Sequence, residues 1–157
     1  MFICHVALQG CLTLQDVPYG LTADTGGHIK YLLELANASA KDPHVHRIDL
    51  VTRGFVDSRL GDKFRPGEGE HDGKVRLVRI ADGEEAYLPK EDLRHRHREL
   101  CDAFIAYLRG LRRKPDLIHA HYADAGILAR RAKRCLSILL VFPGHSHIAV
   151  KREANGR

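Results

Sequence analysis

The sequence predicts an α/β domain of the Rossmann-like kind, a mostly parallel sheet with helices on both faces. Three observations carry that prediction. Short apolar runs of strand length recur along the 157 residues. They alternate with stretches of helical period, the order that produces parallel sheets. Polar and glycine-rich residues gather just after the predicted strands, where such sheets bind their ligands.

The elements follow in order. Phe2–Leu8 is an apolar run with the β-formers Phe, Ile and Val, and makes the first strand. Gln9 to Thr25 is a long connection carrying Pro18 and Gly20, and connections of that length usually serve function. From Gly26 the period changes. Ile29, Leu32, Leu33 and Ala36 stand at i, i+3, i+4 and i+7, one helical face that should end near Lys41, before Pro43. Arg47–Thr52 reads as a buried strand, Arg53–Gly73 as a glycine-rich loop and Lys74–Ile80 as a third strand.

Past Pro89 the spacing of Leu93, His97, Leu100, Phe104, Leu108 and Leu111 predicts one long helix. Glu91 and Asp92 at its start, with Arg109, Arg112, Arg113 and Lys114 at its end, complement the helix dipole. Pro115 stops it. Asp116–Ala120 follows as a strand, Ala123–Cys135 as a helix and Leu136–Phe142 as the last strand.

Composition narrows the class. At about 150 residues per domain the length predicts one domain. Apolar residues at 44% and charged residues at 29% tell against disorder. The longest apolar run, Ile138–Phe142, is far short of the ~20 residues of a membrane span. Met1 opens onto Phe2-Ile3 without a basic stretch, so no signal peptide is expected. Cys4, Cys11, Cys101 and Cys135 form no CxxC pair, which argues against a disulfide framework or zinc knuckle and for a cytoplasmic setting. The net charge of +5 invites an anionic partner. The basic runs Arg94–Arg98, Arg109–Lys114 and Arg130–Arg134 read as solvated helix faces without a recognised binding motif. Neither nucleic acid nor a membrane is expected as a partner.

Three segments carry chemistry. Asp24-Thr25-Gly26-Gly27-His28 opens the first helix. Its glycines could bring backbone amides to an anion at the positive helix end, or the segment could be a tight turn capped by Thr25. His119-Ala120-His121-Tyr122-Ala123-Asp124 runs off a strand with its two histidines on one side. Metal binding is not expected there, because the same HxH spacing recurs at His44/His46, His95/His97 and His145/His147. A pocket-lining role for His121 and Asp124 is preferred. Pro143-Gly144-His145-Ser146, with Lys151 beyond, could meet sugar hydroxyls and phosphate.

Together these segments resemble the N-terminal domain of sucrose-phosphate synthase and sucrose synthase-like retaining glycosyltransferases of the two-domain GT-B architecture. The matching blocks are Ala23–Ala36, Arg47–Phe55, Tyr87–Leu93, Pro115–Gly126 and Leu140–Ser146, and the likeness runs from Phe2 to about Lys151. It implies an acceptor-side domain over residues 1–151, with 152–157 a tail. It implies no cofactor and no metal, with a UDP-sugar such as UDP-glucose as donor substrate and a sugar phosphate such as fructose 6-phosphate as acceptor. Gly26 and Gly27 would lie beside the donor diphosphate, and His145 beside the transferred sugar as the catalytic residue. His28, Lys90, Ser146 and Lys151 would join His121 and Asp124 in binding the acceptor.

The chain departs from the family pattern at His28, where Gln is usual, at Ala86 for Lys and at Pro143 for Thr. Family enzymes continue into a second, nucleotide-sugar domain that these 157 residues do not include. The isolated chain is therefore expected to be inactive, and UDP-glucose is expected to bind only with that second domain. The alternatives are a non-enzymatic sugar-phosphate binding module or a vestigial fragment. A last expectation is that Lys90 and Lys151 converge with Ser146 on one phosphate.

Overall fold

Residues 1–142 are described by a computed structural model. Strand β1 (Phe2–Val6) leads through a long loop to helix α1 (Gly27–Ala40), and β2 (Arg47–Arg53) follows. Next come β3 (Gly67–Asp72), β4 (Val75–Ile80), a 3-10 helix (Lys90–Arg96) and α2 (His97–Gly110). Strand β5 (Leu117–Ala120), α3 (Tyr122–Leu136) and β6 (Leu139–Val141) complete the described chain. The strands form one six-stranded sheet in the order β3-β4-β2-β1-β5-β6. Every neighbouring pair is parallel except β3 with β4. The predicted Rossmann-like α/β class is the class observed.

The two faces of β1 show how the layers form. Ile3 and Ala7 pack with Ile29, Leu32 and Ala36 of α1 on one side. Cys4, Val6 and Leu8 pack with Leu100, Phe104, Leu108, Leu128 and Ala132 of α2 and α3 on the other. A strand buried on both faces is filled largely with apolar residues, which is why Phe2–Leu8 reads as a nearly continuous run broken only by His5. Full burial of each large side chain contributes about 1.5–3 kcal/mol. One buried polar group ties the layers together. Asp49 in β2 accepts two bonds from Arg47 and one from the Tyr107 hydroxyl of α2.

Three expectations are corrected. The segment Arg53–Gly73 is not all loop, since its last residues form the antiparallel edge strand β3. Gly67, Glu68, Gly69, Glu70, His71 and Asp72 carry no apolar alternation because five of them are exposed and none is buried. The long helix after Pro89 is split, with Arg96 at φ −117° and ψ 11° breaking the ladder between the 3-10 turns and α2. Its guanidinium is bound to Asp82 by a bond from Nε and by one to the main-chain oxygen. Strand β6 is shorter than Leu136–Phe142, because Leu136 ends α3 and Ser137 caps it in the left-handed conformation.

Candidate functional site

The strand order locates the site. From β1 the chain crosses to β2 on one side, while β5 lies on the other. Connections that leave in opposite directions open a crevice outside the carboxyl ends of the two strands. There a cleft of about 230 Å³ is lined by Gly27, His28, Tyr31, His121 and Tyr122. The opening turns of α1 and α3 thus form its walls.

The first wall is built by the loop from Gln9 to Gly26. Gly10 turns the chain out of β1 at φ +83°. Cys11 N–H donates to the Thr25 hydroxyl at 3.0 Å, and the Thr25 and Thr22 hydroxyls share a bond at 2.7 Å. Thr25 is thereby engaged within the loop. It does not cap α1, whose first residue is preceded by Gly26 without any side-chain cap bond. An uncapped helix start presents backbone N–H groups and a positive dipole end, the arrangement that holds anions. Of the tight-turn reading, the structure removes the cap by Thr25.

The same loop is pinned from across the molecule by Asp24. Its buried carboxylate accepts from the Tyr87 hydroxyl at 2.8 Å and from Lys90 N–H at 2.9 Å. Burial pushes the Tyr87 phenol up, so it keeps the proton it donates. Close approach of backbone explains Gly10: a Cβ there would stand 2.6 Å from the Asp24 carbonyl oxygen. Gly10→Ala should therefore cost about 2 kcal/mol from left-handed strain plus the clash, read as a lowered denaturant midpoint. A midpoint equal to wild type would show that the loop simply shifts aside.

The second wall starts at His121, which follows β5 and donates its N–H to Val6 O at 3.0 Å. Its Nε2 lies 3.0 Å from Nδ1 of His5 on β1, and its ring stacks at 4.4 Å on His119. Burial, with His119 adding to it, lowers His5 to about 3, so this imidazole is neutral at ordinary pH. Tyr122 begins α3 at φ 70°, a conformation that costs a bulky residue on the order of 1–3 kcal/mol. The strained turn sets its ring edge-on to His28 at 5.7 Å. His28 is held by a 3.2 Å contact between Nε2 and the Gln9 carbonyl oxygen.

Of the residues expected at the site, Gly27, His28 and His121 meet in the cleft, with Gly26 just ahead of Gly27. Asp124 does not line it. Two residues beyond Tyr122 is about 200° around a helix, and Asp124 instead meets His97 Nε2 of α2 at 2.5 Å. Lys90 is fixed by its main chain to Asp24, and its exposed side chain is not among the described residues lining the cleft. His145, Ser146 and Lys151 lie outside the described residues, as does the convergence expected of Lys90, Ser146 and Lys151. Sequence reading missed Tyr31 and Tyr122. Tyr31 was legible in part, four residues after Gly27 on the helix face next to the glycines. It also passed over His5, hidden inside an apolar run.

Comparison with known proteins adds the following. The family model described as a glycosyl transferase 4-like domain matches residues 26–156. The chain is 32% identical over 167 residues to sucrose-phosphate synthase 4 of Arabidopsis thaliana, covering 93% of this chain and 16% of that protein. Against the sucrose-phosphate synthase of Zea mays it is 32% identical over 171 residues, with the same shares. The chain thus spans about a sixth of the length of these curated relatives. The solved sucrose-phosphate synthase of Thermosynechococcus elongatus superposes with a TM-score of 0.69 at 24% identity, over 97% of this chain and 35% of that one. That likeness is one of fold, and the match is to a GT-B structure.

Proposed function

The chain belongs to the glycosyl transferase 4-like family, and from that premise we propose that it is the acceptor-side domain of a retaining hexosyltransferase. The donor in this reading is UDP-glucose, a substrate rather than a cofactor, and the acceptor is fructose 6-phosphate. One observation carries the proposal: the cleft at the β1/β5 divergence, where an uncapped helix start meets His28, His121 and two tyrosines. The amides and dipole at Gly26 and Gly27 suit a diphosphate or a developing anion, while the ring nitrogens and phenols suit sugar hydroxyls. Its volume of about 230 Å³ is below that of drug-sized pockets, roughly 300–1,000 Å³, and favours a ligand of monosaccharide size.

In this reading His145 stands by the transferred sugar, and Lys90, Ser146 and Lys151 hold the acceptor phosphate. The transfer needs no metal, because amides and basic groups stabilise the leaving diphosphate. A second, nucleotide-sugar domain supplies most donor contacts, so residues 1–157 by themselves bind acceptor without turnover. A reduced, cytoplasmic setting is supported by Cys4, Cys11, Cys101 and Cys135, all free thiols. Among the described residues no helix is long and apolar enough to cross a membrane.

Calorimetric titration tests the reading. Fructose 6-phosphate should bind the chain, and Lys90→Ala should weaken that binding by roughly ten- to a hundred-fold, the loss of one charge-assisted contact. No binding at millimolar ligand would remove the acceptor proposal. Sucrose 6-phosphate formed by the purified chain from UDP-glucose and fructose 6-phosphate would overturn its inactivity alone.

A further inference from the structure

Behind the cleft, His121 clusters with His5 and His119, two histidines that the transferase reading does not use. His5 and His119 are register partners on the adjacent strands β1 and β5, and His121 follows two residues on. All three therefore stand on the α1 side of the sheet, the side that Ile3 and Ala7 face. Their nearest ring nitrogens lie within 4.8 Å of one another, and the His5–His121 pair is already at 3.0 Å. Two nitrogens on one tetrahedral zinc ion, each at about 2.0–2.1 Å, stand roughly 3.3–3.4 Å apart. A three-imidazole shell would form once the nitrogens close to that spacing and the stacked His119 and His121 rings turn so that their in-plane lone pairs converge.

We propose that His5, His119 and His121 form a binding site for a divalent transition-metal ion of the zinc class, with water or a cleft ligand in the fourth position. Three features support it. His5 is only 2% exposed and turns Nδ1 toward His121 Nε2, so the nitrogen that would ligate is already shielded from water and aimed into the cluster. The ligands are imidazoles without a nearby thiolate or carboxylate in the group, which suits zinc, nickel or copper rather than magnesium or calcium. The ion has a way in, because His121 lines the open cleft. Bound there it would fix the His121 ring and with it the cleft wall. The proposal is independent of the identity of the sugar substrates.

Cobalt(II) added to the metal-stripped full chain tests it. Wild type should take up one equivalent with the intense visible absorption of a four-coordinate ion, and zinc should displace it. Zinc should also raise the thermal midpoint, since it binds the folded chain preferentially. His5→Gln and His119→Gln should each weaken uptake by more than the roughly 10–100-fold that loss of an outer partner costs. The exposed pair His44 and His46 provides the control, and the double variant His44→Gln/His46→Gln should keep the full signal. If His5→Gln does not fold, as judged by circular dichroism, the half-buried His119→Gln decides alone. Absence of the absorption in wild type, or its persistence in His119→Gln, would overturn the site. Loss of the signal only in the His44/His46 variant would place the ion elsewhere and overturn it equally.

Discussion

Replacing Asp82 by Ala should cost about 3–5 kcal/mol of folding stability, the penalty for leaving a buried guanidinium without its partner. Arg53 is 2% exposed and donates to both Asp82 oxygens, from Nε at 3.0 Å and from an NH2 group at 3.2 Å. The same guanidinium donates to the carbonyls of Glu84 and Ala86 at 2.7 and 2.9 Å. It therefore anchors the turn that delivers Tyr87 and Lys90 to the glycine loop. Chemical denaturation of the variant should show the fall in midpoint. The double replacement Arg53→Met/Asp82→Leu should regain much of the loss, because no buried charge then lacks a partner.

The pair also sets an acid response. Burial raises the Asp82 carboxyl, but the hydrogen bond and charge of Arg53 outweigh burial and hold it below the ordinary 3.8. A carboxyl depressed in the folded state stabilises the fold above its unfolded pKa, and that contribution is lost as pH falls through the folded value. The stability gap between wild type and Asp82→Ala should consequently narrow below about pH 4. A gap of constant size down to pH 2 would show that the carboxylate is not the stabilising form.

Asp24→Ala should cost about 3 kcal/mol, somewhat less than two charge-assisted bonds at roughly 1.5–3 kcal/mol each. The saving comes from Tyr87, whose hydroxyl keeps a bond to Thr22 Oγ1 at 3.0 Å. Lys90 N–H has no such reserve in the described structure, so its amide exchange should accelerate most. Asp24→Asn, which keeps one acceptor oxygen, should lose about 1 kcal/mol. In the transferase reading the Ala variant should also bind fructose 6-phosphate more weakly, because Lys90 and the Gly26–Gly27 turn lose their shared anchor. A variant within about 0.5 kcal/mol of wild type, the range of ordinary surface changes, would show that the loop holds its shape without Asp24.

Part of this site was legible along the chain. The glycine pair at the start of a helical period, and the His-Tyr-Ala-Asp run leaving a strand, both mark chain segments that end at one edge of a parallel sheet. What they touch was not legible. Asp124 has the composition of a binding residue, and the helix turns it to His97 instead. Thr25 has the composition of a helix cap, and its hydroxyl is drawn to Cys11 N–H by the return of the loop.

The order of strands and helices followed from apolar runs and helical spacing, because burial on both faces fills β1 and β2 largely with apolar residues, the buried polar exceptions being His5, Asp49, Thr52 and Arg53. The α1 face was equally local, since Ile29, Leu32 and Ala36 repeat with the period of one helical turn. Tertiary structure alone decided β3, whose exposed polar residues pair with β4 through main-chain bonds that require no particular side chains. It alone decided the Asp24–Tyr87–Lys90 bridge, which joins residues more than sixty positions apart. It decided the histidine cluster as well. His5 and His119 become neighbours only through the register of two parallel strands, and register is a relation between segments that neither segment carries by itself.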